Sequence, residues 1–248
     1  MLINYKYKYP SRGKVIFVPT EQCERKGRRI IKFFSKRVDF PDYFYHYKSG
    51  GHIAALHAHL ENKLFFKIDI QNFYYSIARM RVTRALRSYA YPGANTLATW
   101  SCVANPIPGT KPKHVLPIGF VQSPLLASLV LMKSPVAQAI GRAIKNGVCV
   151  SVYMDDFIGS HNDVGVLQAA FADIRDTSAA AGLIPNPKKL VAPINAITAF
   201  NCDLTYGSAT VRAERTALYE SSPERTPASD AAFEEYRRLV ASSNKAAD

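Results

Sequence analysis

The sequence predicts an α+β protein on three observations. Runs with a period of two, or with continuous β-branched and aromatic residues, mark short strands; stretches with an apolar stripe at helical spacing lie between them; and two pairs of strand-like runs are separated by only a few residues, which is hairpin syntax. With 248 residues, 48% hydrophobic and 21% charged, the chain carries enough apolar material for one substantial core or two small ones.

Taken in order, Tyr5, Tyr7 and Tyr9 alternate with Lys6 and Lys8, giving a strand with one aromatic and one cationic face. Such a strand can stack bases and meet phosphates, or serve as an edge whose lysines block pairing. Lys14 to Val18 is a second strand, closed by Pro19. Glu21 to Val38 carries seven cations around Ile30, Ile31, Phe33 and Phe34 and reads as a basic amphipathic helix. After Gly50-Gly51, His52 to Leu60 is helical in composition, and Leu64 to Ile70 is an apolar strand interrupted by Asp69. Ser76 is expected to cap a helix through Arg87. Prolines and glycines punctuate a long connection that contains one short helix near Trp100. Helices follow over Ser123 to Lys133 and Pro135 to Lys145, and strands over Val148 to Val152 and Phe157 to Ser160, with Asp155-Asp156 at the bend. Asp163 and Gly182 bracket a further helix, Ala199 to Thr205 and Ala209 to Arg212 form a hairpin across Tyr206-Gly207, and Asp230 to Val240 is a final helix before a polar end expected to fray.

Lys plus Arg total 32 against 19 Asp plus Glu, a formal net charge of +13 that points to an acidic partner, nucleic acid first. The charge is uneven: residues 1–68 hold 14 Lys/Arg and 5 Asp/Glu. No apolar run reaches the roughly 18 to 20 residues of a spanning helix, so a cytoplasmic protein without a membrane partner is expected. Cys23, Cys102, Cys149 and Cys202 form no CxxC pair and are read as reduced, packing thiols; His52, His57 and His59 lack ligand spacing and are read as packing or RNA-contacting groups.

Three aspartates need an explanation. Asp69 ends an apolar strand and Asp155-Asp156 lie at the turn of another, and a carboxylate in such a place requires a counter-charge. Hard oxygen ligands favour Mg²⁺, with Mn²⁺ possible, and two such ions can serve a phosphoryl transfer.

The blocks FFKIDIQNFYYSI (65–77), LPIGFVQSPLLASLVL (116–131), SVYMDDFIGS (151–160) and GLIPNPKKLVAP (182–193) resemble, in order and spacing, motifs A to D of reverse transcriptases. FYHYKSGGHIAALHAHLENK (44–63) resembles the fingers of retron and group II intron enzymes. The resemblance implies a right-hand polymerase's fingers and palm, the palm a ferredoxin-like sheet with helices on one face, and a thumb that is short or absent. It divides the chain into a basic fingers region (1–68), a palm (69–205, with an inserted connection at 91–115), and a primer-grip end with a reduced thumb-like helix (206–248). It implies that Asp69 and Asp155 hold two metal ions, helped by the main-chain carbonyl of Ile70, with Asp156 as the third carboxylate. Tyr74 falls where these enzymes place an aromatic gate against a ribose 2′-OH, Gly119 lets backbone approach the template–nucleotide pair, and Lys14 and Arg12 resemble the fingers cations that cradle the triphosphate. Lys189 resembles the motif D general acid, with Lys188 its neighbour and rival. Ile118 departs from the family, which mostly carries glutamine there.

The implied activity is RNA-directed DNA polymerisation from dNTPs, in a retron or antiphage defence setting, with an RNA template or structured non-coding RNA, a DNA product, and a partner subunit or homo-oligomer completing the thumb. Untemplated, protein-primed or simple-repeat DNA synthesis by the same fold is the alternative, and a catalytically silent RNA-binding scaffold is the alternative of another class.

Overall fold

A computed structural model describes residues 3–245; Met1, Leu2 and the last three residues of the polar end lie outside the described residues. The N-terminal hairpin forms from β1 (Tyr5–Ser11) and β2 (Lys14–Pro19), with Ser11 opposite Lys14. Its turn residues Arg12 and Gly13 have φ of 48° and 74°, the left-handed pair that matches the twist of the flanking strands. Helix α1 (Glu21–Phe34) starts where the Thr20 hydroxyl accepts the Cys23 N–H, and it ends four residues before the expected Val38.

Next come α2 (Gly51–His57), β3 (Leu64–Asp69), α3 (Phe73–Ser76) and α4 (Arg79–Ser88). Here the expected Ser76 cap is corrected. Ile77 is extended and separates the two helices, Ala78 occupies the N-cap of α4, and the Ser76 hydroxyl donates back to the Asn72 carbonyl. Helix α5 (Ala94–Ser101) is the short helix at Trp100; β4 (Val103–Ala104) and β5 (His114–Val115) are two-residue strands. Helices α6 (Ser123–Met132) and α7 (Pro135–Lys145) precede β6 (Cys149–Tyr153), β7 (Asp156–His161) and α8 (Val164–Ala180). Asp163 caps α8, its carboxylate accepting the Val166 N–H, and Gly182 follows it with φ of 71°.

Strands β8 (Val191–Ile194), β9 (Ala196–Ala199), β10 (Cys202–Thr205) and β11 (Ser208–Val211) lead to α9 (Ala213–Glu220) and α10 (Pro227–Ala241). The single hairpin expected from Ala199 onward is a three-stranded meander, because Ala199 belongs to β9 and a turn at Phe200-Asn201, with φ of 54° and 62°, precedes β10. Helix α9 was not expected.

Contacts divide the chain into two compact, interleaved units, whereas the sequence suggested three consecutive segments. The first holds residues up to 39, 70–138 and 178–184; the second holds 40–69, 139–177 and those from 185 onward. In the first unit, Phe17, Cys23, Trp100, Val103 and Phe120 form a buried cluster, and α6 is apolar all round because nearly all of it is buried. The Phe17 N–H donates to the Ile118 carbonyl at 2.9 Å. Among the described residues no single helix is long and apolar enough to cross a membrane.

The second unit is built on an antiparallel sheet of order β6-β7-β3-β8. In chain order these strands are β3, β6, β7 and β8, with helices between the first two and between the last two, which is the expected ferredoxin-like topology. Helix α8 covers one face, its Phe171 ring 5.5 Å from that of Phe66. The opposite face is covered as well: Phe65 and Ile158 join a cluster with Leu56 of α2, Leu204 of β10 and Val240 of α10. Phe66 and Ile68 on one face of β3 and Phe65 on the other are all fully buried, so both faces need cover.

His59 is fully buried on that second face, its Nδ1 2.7 Å from Ser160 Oγ and its Nε2 2.8 Å from Ser151 Oγ. Burial lowers its pKa to about 3, and that of His46 to about 4. An unfolded chain protonates both near pH 6.5, so below that pH it binds more protons than the folded chain, and stability is lost as pH falls toward the folded values. Urea unfolding at pH 5 should therefore show about 2 kcal/mol less stability per histidine than at pH 7. His59→Gln should flatten the profile; an unchanged slope would contradict a neutral buried His59.

Candidate active site

The register of the central sheet brings the three aspartates to one end of it. Asp69, the last residue of β3, lies directly opposite Asp156, the first of β7. Tyr153 pairs with Asp156, so Met154-Asp155 is a two-residue turn between β6 and β7. Met154 has φ of 58°, uncommon for a residue with a side chain, and this strained backbone presents Asp155 at the turn. The Met154 N–H faces His46 Nδ1 at 3.5 Å; burial of that imidazole keeps it neutral and able to accept.

The period of two places Phe65, Lys67 and Asp69 on one face of β3, and Asp156, Ile158 and Ser160 on the same face of β7. Asp69 is 4% exposed, and a carboxylate so buried must be partnered. Lys189 Nζ donates to its Oδ2 at 2.8 Å and Asn186 Nδ2 to its Oδ1 at 3.2 Å, while the Asn186 N–H donates to the Asp69 carbonyl at 2.8 Å. Asn186 also accepts the Lys188 N–H on Oδ1, at 3.1 Å, an Asx turn that shapes the loop carrying Lys189. Lys67 Nζ lies 3.1 Å from Asp156 Oδ1, an ion pair without hydrogen-bond alignment, its side chains 12% and 20% exposed.

Electrostatics follow from this crowding. Burial, reinforced by the Asp69 charge, pushes the Asp156 carboxyl above the usual carboxylate range even against the Lys67 ammonium. The hydrogen bond to Asp69, with Asp156 and Asp155 nearby, holds the Lys189 ammonium above the usual lysine range. Acidic oxygens so placed demand positive charge, which two lysines supply here. Among the described residues no group of three or more His, Cys, Asp or Glu is gathered around one point as a metal cage. The donors nonetheless fit a hard divalent cation: all are carboxylate oxygens, and Asp156 is strained by its like-charged neighbour.

The second unit thus brings together Asp69, Asp155, Asp156 and Lys189, and it is Lys189 rather than Lys188 that reaches Asp69. The other sequence candidates belong to the first unit. Ile70 is buried directly after Asp69, and Tyr74 is half-buried on α3, its ring 5.6 Å from Phe73. Arg12 and Lys14 are exposed at the tip of the β1–β2 hairpin. Gly119 has φ of 107°, and a Cβ there would stand 2.3 Å from the Phe17 carbonyl oxygen, so the chain's own backbone already requires glycine. Sequence reasoning missed Lys67 and Asn186. Lys67 was signalled by its position two residues before Asp69 on a strand, and Asn186 by its place three residues before Lys189 in the block 182–193.

The family model described as reverse transcriptase (RNA-dependent DNA polymerase) matches residues 19–205. No curated protein matches the sequence. Among solved structures, apo telomerase from Candida tropicalis, truncated from its C-terminal domain, is similar with a TM-score of 0.60 at 13% identity, over 85% of this chain and 55% of that one. Telomerase from Candida albicans with a fragment of telomeric RNA is similar with a TM-score of 0.58 at 10% identity, over 83% and 46%. The foamy viral protease-reverse transcriptase in complex with an RNA/DNA hybrid is similar with a TM-score of 0.51 at 19% identity, over 92% and 26%. At these identities the likeness is one of fold, and the chain spans between 26% and 55% of the length of these structures. With a matching sequence pattern over most of its length and a fingers-and-palm α+β fold, the chain belongs to the reverse transcriptase (RNA-dependent DNA polymerase) family.

Proposed function

We propose that this chain is an RNA-directed DNA polymerase that adds dNTPs to a primer on an RNA template by phosphoryl transfer. The observation that carries the proposal is the cross-strand pair Asp69–Asp156 with Asp155 at the adjoining turn, in a chain of this family. Asp69, Asp155 and Asp156, with the main-chain carbonyl of Ile70, would hold two Mg²⁺ ions, or Mn²⁺. When bound, such ions neutralise charge on the phosphates and lower the pKa of an attacking hydroxyl. The chain's own groups do the rest. Lys189, held protonated beside Asp69, is poised to give its proton to departing pyrophosphate. Tyr74 would exclude a ribose 2′-OH, Gly119 would let backbone approach the nucleotide, and Arg12 and Lys14 would meet the triphosphate. The stretch 44–63 resembles the fingers of retron and group II intron enzymes, which supports a cytoplasmic retron or antiphage defence setting, a structured RNA partner, and a partner subunit or second copy that grips the duplex.

Labelled dNTPs, a primed RNA and Mg²⁺ or Mn²⁺ test the proposal, with sequencing of the product. Template-complementary DNA whose formation stops on chelation is the expected result. Product unrelated to the template would favour untemplated synthesis, the reading to which the apolar Ile118 lends weight. RNA binding without incorporation would favour a silent scaffold.

A further inference from the structure

Most arginines of known partner in this chain hold a carboxylate: Arg142 holds Asp173, Arg175 holds Asp176 and Arg238 holds Glu235. Helix α4 breaks the pattern. It carries Arg79, Arg81, Arg84 and Arg87 with no acid, and none of the four forms an ion pair among the described residues. Arg81 and Arg84 stand one turn apart on α4, and that face is one wall of a cavity of about 440 Å³ within the first unit. Lys133 and Ser134, at the junction of α6 and α7, belong to its lining, and no carboxylate does. Ala85, Val130 and Pro135 give it an apolar surface. Arg81 Nη2 donates to the Ala181 carbonyl, which fixes the guanidinium while using one of its five donors. Lys133 Nζ rests 5.1 Å over the Tyr89 ring.

We propose that this cavity binds the phosphate of a nucleotide unit, with Arg81, Arg84 and Lys133 on the phosphate oxygens and the apolar surface against sugar or base. Guanidinium forks match phosphate geometry, three cations without an internal acid leave an anion to be supplied from outside, and the volume suits a nucleotide better than a bare ion. The inference goes beyond the polymerase reading, since it concerns binding by first-unit residues to which that reading gives no role.

The phosphate can belong to an RNA strand or to a free nucleotide. Arg84→Gln/Lys133→Gln leaves the Arg81 anchor in place; Arg84→Gln alone serves if the double variant fails to fold. Without divalent metal, the affinity of a single-stranded RNA oligonucleotide is measured against NaCl concentration, and AMP is titrated separately. If the source is a strand, the slope of log affinity against log salt becomes shallower by about 0.7 in the double variant, the value for one phosphate contact, and by a smaller amount in the single one. If it is a free nucleotide, AMP binds the parent protein and loses that binding in the variant, with the RNA slope unchanged. An unchanged slope together with no AMP binding, or with equal AMP binding, overturns the proposal. An equal slope change in Arg142→Gln/Arg238→Gln, which removes the same charge from exposed ion pairs, overturns it as well. Because binding is read without DNA synthesis, failure here is distinct from failure of the polymerase reading.

Discussion

Asp155→Asn is expected to cut dNTP incorporation at least about a thousandfold while leaving the thermal midpoint of the protein nearly unchanged. The change keeps the side chain's size and removes its charge, at the two-residue turn between β6 and β7. Loss of several kcal/mol of charge stabilisation at a phosphoryl-transfer centre corresponds to three or more decades of rate. Both neighbouring aspartates anchor a lysine. Asp69→Asn would also strip Lys189 of its carboxylate, and Asp156→Asn would strip Lys67 of its own, so either variant mixes structural with chemical effects. Primer extension and thermal unfolding on one preparation check the expectation. Incorporation within tenfold of the parent would remove Asp155 from the reacting centre.

The largest effect on stability is expected at Gly119→Ala. The residue has φ of 107°, outside the regions open to alanine, and its Cβ would stand 2.3 Å from a backbone oxygen that cannot rotate away. Strain and displacement together should cost at least about 3 kcal/mol, a large share of a typical domain's stability. Gly13→Ala is the internal comparison: φ of 74° but nothing within 4 Å of the added carbon, so only the backbone penalty of about 1 to 2 kcal/mol applies. Urea midpoints of the two variants should therefore separate clearly, and equal midpoints would show that the β2–Gly119 contact is not close in solution.

Features written in local chemistry were legible in the sequence. Asp163 and Gly182 announced both ends of α8, and the β-branched run before Tyr153 announced the hairpin that carries Asp155. Local signals failed where the backbone did something its residues do not advertise. The Phe200-Asn201 turn contains no glycine, so the strand expected from Ala199 to Thr205 runs straight through it and most of β9 has no counterpart in the sequence reading. Ser76 had a capping side chain, but an extended Ile77 displaced the helix start. At the site, the aspartates were visible as carboxylates misplaced in apolar runs. The seating of Lys189 and Asn186 on Asp69 was not, because it depends on sheet register and loop shape between residues far apart in the chain.

Interleaving of the two units sets the order in which this protein can be made. All residues of the first unit exist once Ile184 has been synthesised, but the second unit's core waits for Val240, which packs in one cluster with Leu56 and Leu60. Until β7 emerges, the apolar strand Leu64–Asp69 has neither of its hydrogen-bonding neighbours, β7 or β8, and is a sticky edge on a nascent chain. Yield of soluble protein should therefore respond to translation speed and temperature more steeply than its equilibrium stability would indicate, and truncation at Thr205, which removes β11 and α10, should abolish the second unit rather than shorten it.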